Sequence, residues 1–326
     1  MTKLEKGRNH MQKTSKLKMA LRQGQIFIIF VVLFIVSSLL NPRFFSVANL
    51  TNIMRQVSVN GILACGMTFV MLTGGFDLSV GATLTIAGAT ALKLQPVLGV
   101  GGAIIAAIAI GAIFGSLIGL VLAKINACSG DAFMIKLGAQ FVIFGISLEV
   151  YDAKFIIGSK DPFYNWIGTG NVGIIPVSVI IFAAVAIISH LILRYTRFGR
   201  NVFYTGGNYE AARLSGVNTR FYKGAVYAVV GITAALASVV LTARTAGCSS
   251  DLGSGYELDA ISAVMVGGTS TAGGEGSILR TIIGVLIIGV LSNTLNLMGM
   301  SSFNQMIAKG IVVVLAVWLD NSRRNQ

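Results

Sequence analysis

Apolar residues fill this chain in long blocks, separated by short polar, basic or glycine-rich passages. The blocks run approximately over 26–40, 53–72, 78–95, 97–123, 132–151, 174–194, 224–243, 258–272, 278–297 and 304–319. A helix needs about 20 apolar residues, within a range of roughly 17–25, to cross a hydrocarbon core. Inside that core every backbone N–H and C=O must find its partner within the protein, which favours helices. The pattern predicts an all-α integral membrane protein of about ten transmembrane segments. Several blocks are short or broken by glycine, and eight full spans with re-entrant pieces is the other reading they allow.

Composition agrees. Of 326 residues, 54% are hydrophobic and 11% charged, with a mean hydropathy of +0.79; a soluble domain carries about 25% charged residues. The 39 glycines suit helices packed closely in lipid. The net charge of +13 is concentrated in three places. Lys3, Lys6, Arg8, Lys13, Lys16, Lys18 and Arg22 precede the first block. Arg194, Arg197, Arg200, Arg213, Arg220 and Lys223 surround one loop, and Arg323 and Arg324 stand at the end. Basic residues clustered beside spans mark the cytoplasmic side, so this distribution argues for membrane topology and against nucleic acid. It predicts both termini inside. The divisions are a basic cytoplasmic segment 1–25, a transmembrane region 26–320 with a cytoplasmic loop 195–223, and a short cytoplasmic tail 321–326.

The first block reads as a retained span, because no small-x-small cleavage pattern precedes Asn41. Cys65, Cys128 and Cys248 are isolated and His10 and His190 have few partners, so neither a disulfide framework nor a metal site is expected. Two passages are rich in glycine, Gly74 to Gly81 and Gly267 to Ser277. A phosphate loop needs G-x-x-x-x-G-K-[ST], and no Gly-Lys dipeptide occurs in the chain. Such passages in a membrane protein join helices or half-helices beside a cavity or inside protein.

The polar residues among the blocks are few. Asp77 is either a cap for the third segment or part of a path or gate. Asn293 and Asn296, three apart, share a helix face; they either line a polar path or bond a neighbouring helix. Asn60, Thr68, Thr83, Thr85 and Gln140 complete the pool of contacts for a neutral polar solute. On the basic loop, Glu210-Ala211-Ala212-Arg213 followed by Gly216 makes one short helix. Its alanines allow close approach of a partner surface, Gly216 can end it, and Glu210 and Arg213 sit one turn apart.

Taken in order, several motifs resemble one family. They are Asn41-Pro42-Arg43-Phe44-Phe45, GGFDLSVG from Gly74, Phe198-Gly199-Arg200, GGNYEAARLSGV from Gly206, GYELDAI from Gly255, GGTSTAGGEGS from Gly267, and Ser301 to Gly310. From about Asn41 to Asp320 the chain resembles the permease subunit of ribose-type importers, in the monosaccharide branch of ATP-binding-cassette transporters. The resemblance implies a fold embedded in the inner (cytoplasmic) membrane and an ATPase-coupling role for Glu210, Ala211, Ala212, Arg213 and Gly216. The chain would hold no cofactor of its own, with ATP used by a partner subunit, often a double cassette. A periplasmic or lipid-anchored sugar-binding protein and a second permease subunit, forming a homodimer, are the other implied partners. The chain departs from the pattern at Lys136, where threonine is usual, at Phe144, where arginine is frequent, and loosely over 152–173. The rival reading is an ion-coupled secondary transporter, which would want a carboxylate or histidine relay; beyond Asp77 and Glu149 there is little. An embedded enzyme is disfavoured by the lack of H-E-x-x-H, G-x-S-x-G or clustered acids.

Overall fold

The computed structural model describes residues 26–125, 129–301, 303–312 and 314. The basic segment 1–25, Cys128 and the tail 321–326 lie outside the described residues. In chain order the elements are α1 (Ile26–Leu40), α2 (Val47–Leu72), α3 (Val80–Lys93), α4 (Gln95–Ile125), α5 (Ser129–Val150), β1 (Ile156–Ile157), α6 (Pro162–Thr169), β2 (Asn171–Val172) and β3 (Ile175–Pro176). They continue with α7 (Val177–Tyr195), α8 (Arg197–Gly207), α9 (Tyr209–Leu214), α10 (Thr219–Thr245), β4 (Gly247–Cys248), α11 (Tyr256–Val266) and α12 (Ile278–Leu297). A last helix covers 303–312. The chain is an all-α membrane protein with two minimal ribbons: β1 pairs with β4 and β2 with β3, both antiparallel.

Six of these helices are long and apolar enough to cross a membrane: α2, α4, α5, α7, α10 and α12. The blocks at 78–95 and 258–272 come out differently. They hold α3, of 14 residues, and α11, of 11. At about 1.5 Å per residue these reach roughly 21 and 16 Å, short of the roughly 30 Å hydrocarbon core. Backbone turns mark where each apolar block stops being helical. Gly74 has φ +79° after α2, Gly255 φ +87° before α11 and Gly268 φ +80° after it. Residues 75–77 are non-helical and lead into α3.

Helix α2 is the central one, flanked by α7, α10, α11 and α12. Ser46 caps it, its hydroxyl accepting from the Asn49 N–H at 3.2 Å. Helices α4 and α10 run antiparallel along a glycine seam. Gly111 lies against Gly231, Gly115 against Tyr227, and Gly119 against Gly224. A Cβ at Gly115 or Gly119 would stand 2.9 Å from a carbonyl carbon of α10. The spacing of four puts all three on one stripe, the small-residue packing that lets backbones touch in lipid.

The helical body therefore has two ends. At one, Tyr164 of α6 bonds Thr242 at 2.7 Å, and Arg244 donates to Asn52 at 2.9 Å. Asp161 caps α6, and burial pushes the Tyr164 phenol up to about 12, so it stays neutral in that bond. At the other end stand α8 and α9, the start of α10 and the termination of α2.

Candidate functional site

Three local sequences build the α8–α9 unit. The Thr196 hydroxyl accepts from the Gly199 N–H at 3.1 Å and starts α8. The Asn208 side chain accepts from the Ala211 N–H at 2.9 Å and starts α9; such a cap contributes about 1 kcal/mol. Past Ser215, Gly216 takes φ +81°, its N–H bonds the Arg213 carbonyl at 3.0 Å, and the Val217 N–H bonds the Ala212 carbonyl at 3.1 Å. That pair of bonds is the Schellman closure, which needs a left-handed residue at the Gly216 position.

The faces of α9 are distinct. Arg213 and Glu210 pair at 2.9 Å with both side chains more than 60% exposed, a geometry worth a few tenths of a kcal/mol, roughly. Ala211 faces solvent with them, and so does Leu214, 82% exposed. Ala212 does not. It is buried against its own chain, 6% exposed. Leu214 carried no sequence signal beyond its place in the motif.

The unit is seated through backbone. A Cβ on Gly206 would overlap the Leu72 carbonyl oxygen and lie 2.8 Å from the Gly274 nitrogen. The Gly274 N–H itself bonds the Leu72 carbonyl at 2.9 Å. Gly74 would meet the Ala272 carbonyl at 3.0 Å. Both glycine-rich passages thus converge on α8, and Gly273 and Gly274, at φ +90° and +73°, shape the loop that does so.

Asp77 lies deeper, 2% exposed. Its Oδ1 accepts from the Ser79 N–H at 2.9 Å and the Ser79 hydroxyl at 2.6 Å. Ser79, not Asp77, is the N-cap residue of α3; the carboxylate holds the residue that occupies the cap. Lys136 of α5 is 3% exposed. Its Nζ stands 4.7 Å from the Phe76 ring centroid and 5.6 Å from that of Tyr227. Cation–aromatic contacts gain strength when desolvated. The residue that departs from the family pattern, Lys136, thus faces the Phe76 and Tyr227 rings.

The remaining polar residues separate. Asn293 exchanges amide bonds with Asn49 at 2.9 and 3.1 Å, joining α12 to α2. Asn296 is exposed. Thr68 bonds Thr281 at 2.9 Å, another α2–α12 link. Asn60, on α2, is 3% exposed and its Oδ1 has no hydrogen-bond partner among the described residues. Sequence reasoning missed two acids at the start of α11: Glu257, whose Oε2 is likewise without a partner among the described residues, and Asp259, paired with Lys309 at 2.8 Å. No set of three or more His, Cys, Asp or Glu residues placed to hold a metal ion occurs among the described residues.

Six long apolar helices, two half-length ones and a helical unit seated on glycine loops define a polytopic membrane permease. The chain belongs to the family described as the permease component of branched-chain amino acid transport systems, whose model matches residues 49–317. It is 40% identical to the ribose import permease protein RbsC of Escherichia coli K12, over 93% of this chain and 95% of that one. It is 42% identical to RbsC of Haemophilus influenzae, over 90% and 92%, and 42% identical to RbsC of Bacillus subtilis, over 90% of each. No solved structure matches the chain.

Proposed function

We propose that the chain is the membrane subunit of an ATP-binding-cassette importer, carrying a ribose-like monosaccharide across the inner membrane. The observation that carries the reading is the α8–α9 unit. It offers Glu210, Ala211, Arg213 and Leu214 outward while its backbone rests on the loops that lead into α3 and α12. A cassette moving this unit moves both half-helices' supports. Relatives named ribose import permeases, matching at 40–42% over nine-tenths of the chain, support the sugar.

ATP is consumed by a separate cassette subunit, single or double, since this chain lacks the Gly-Lys of a phosphate loop. A periplasmic or lipid-anchored binding protein delivers the sugar, and a second copy of the chain completes the path. The basic residues around α8–α9 support a cytoplasmic position for it. Ten passes with both termini inside follow if each half-helix shares one crossing with its non-helical lead. Two bonds support that arrangement: Leu72 to Gly274 at the α8 end, and Gln95 to Ser159, beside α6.

The family's own description gives a second cargo, branched-chain amino acids. The experiment is uptake of labelled ribose, allose, galactose and leucine by proteoliposomes containing permease, cassette and binding protein. Ribose uptake that stops when the cassette is left out is expected. Leucine uptake would move the cargo to the second reading, and uptake driven by an ion gradient without ATP would make the protein a secondary transporter.

A further inference from the structure

The helix over 303–312 rests on the body by little of its surface. Phe303, Met306, Ile307 and Ile311 are exposed, and of its apolar residues Val312 packs partly against the core. Among the described residues, one hydrogen bond joins its side chains to another helix. Lys309 Nζ donates to Asp259 Oδ2 at 2.8 Å, with the lysine side chain 29% exposed and the aspartate 11%.

Asp259 stands in the first turn of α11, and the Asn60 side chain of α2 reaches the same carboxylate. The acid is therefore fixed to the body, and Lys309 is the last helix's ionic hold on it. The other end of α11 is held through backbone. Gly267, directly after the helix, lies against α12, where a Cβ would stand 2.6 Å from the Arg280 carbonyl oxygen. A Cβ on Gly284 of α12 would overlap the Ala263 carbonyl oxygen of α11. The same passage continues to Gly274, whose N–H bonds the Leu72 carbonyl at the point where Gly206 of α8 is seated. The last helix is thus tied to the start of α11, and the seat of α8 lies beyond its end.

A buried ion pair adds little net stability, because desolvating both charges offsets their attraction. Removing one partner is costly all the same, since the other charge is left unpaired in an apolar setting. Apolar side chains can slide past one another, whereas a lysine with one counter-charge keeps its register. We infer that Asp259 and Lys309 are a positioning pair for transport. Their bond makes the last helix follow α11, so displacement of the glycine passage under α8 reaches the last helix through α11. Neither residue is assigned a contact with the sugar. The inference rests on the importer reading above, in which the cassette moves the α8–α9 unit.

The test measures ribose taken up per ATP hydrolysed by the whole importer in proteoliposomes. The variants are Asp259→Asn, Lys309→Met, the neutral double Asp259→Asn with Lys309→Met, and the exchanged pair Asp259→Lys with Lys309→Asp. Each single variant and the neutral double should take up about tenfold less ribose per ATP, the worth of one hydrogen bond to a charged group. Binding-protein-stimulated ATP hydrolysis should be kept. The exchanged pair should recover most of the ratio, because Asn60 Oδ1, without a partner among the described residues, can accept from a lysine at position 259. The neutral double decides. It leaves no unpaired charge, so a pair that only holds the fold predicts full recovery there, and that result overturns the inference. An unchanged ratio in the single variants overturns it too, as does an exchanged pair no better than they are. Single variants that do not assemble leave the decision to the two doubles, and a neutral double that does not assemble shows a purely structural role. Wild type that carries no ribose refutes the parent reading, and the positioning role with it.

Discussion

Gly206→Ala is the substitution that separates docking from transmission. Gly206 lies inside α8 with an ordinary helical φ, so alanine has no backbone objection and gains about 1 kcal/mol of helix propensity. The objection is steric. The new methyl would overlap the Leu72 carbonyl oxygen and come within 2.8 Å of the Gly274 nitrogen. That is the donor of the 2.9 Å bond joining the second glycine passage to the last residue of α2. Overpacking costs typically 1–3 kcal/mol and a lost backbone hydrogen bond about 0.5–1.5 kcal/mol. Against the propensity gain the net destabilisation is about 1–3 kcal/mol, enough to part α8 from the loops without unfolding the bundle. The outward face of α9 is untouched. Co-purification with the cassette subunit should therefore persist, while uptake in proteoliposomes falls at least tenfold. Gly216→Ala is the control. It pays the left-handed strain of φ +81°, roughly 1 kcal/mol, but nothing among the described residues lies within 4 Å of the added Cβ, so transport should be only mildly reduced. Normal uptake by Gly206→Ala, or loss of cassette binding with it, would refute the claim that this glycine junction transmits the motion.

Other substitutions test other parts. Lys136→Met should lower the melting temperature of the solubilised protein, because it removes the buried cation that stands 4.7 Å from the Phe76 ring centroid and 5.6 Å from that of Tyr227, contacts worth about 1–2 kcal/mol when desolvated; an unchanged or higher melting temperature would show that these rings do not stabilise the cation. Gly115→Leu should prevent stable insertion or assembly, seen as loss of a monodisperse peak in detergent, since α4 and α10 touch by backbone at that point; a normal peak would remove the seam from the account. Arg213→Ala should change uptake less than twofold, because its ion pair with Glu210 is solvent-exposed and worth a few tenths of a kcal/mol, roughly, unless the cassette itself grips Arg213, which a larger loss would reveal. Reporter fusions after Arg200 and at the C-terminus should both register cytoplasmic, and a periplasmic signal from either would overturn the ten-pass arrangement.

The long helices were legible because lipid imposes a length and a composition that a sequence cannot disguise. About 20 apolar residues between polar breaks located α2, α4, α5, α7, α10 and α12. The α9 helix was legible for a different reason: the residues that end it act through their own backbone. Gly216 takes a left-handed conformation that other residues resist, and the motif around it carries its meaning locally. Re-entrant pieces were one of the readings the sequence allowed, but which blocks hold the half-length helices α3 and α11 was not legible. An apolar block reports burial, and α3 is buried along nearly its whole length and α11 over most of it, so hydropathy does not tell helix from extended chain held by neighbours. That difference was set by tertiary contacts, such as the Gly253 N–H on Thr85, between residues 168 positions apart. The same limit hid the function of the polar residues. Asn60, Glu257, Asp259 and Lys309 are scattered over three separate segments, as are Phe76, Lys136 and Tyr227. A charge buried in a membrane protein takes its role from the group it faces, and which group that is depends on how the helices pack.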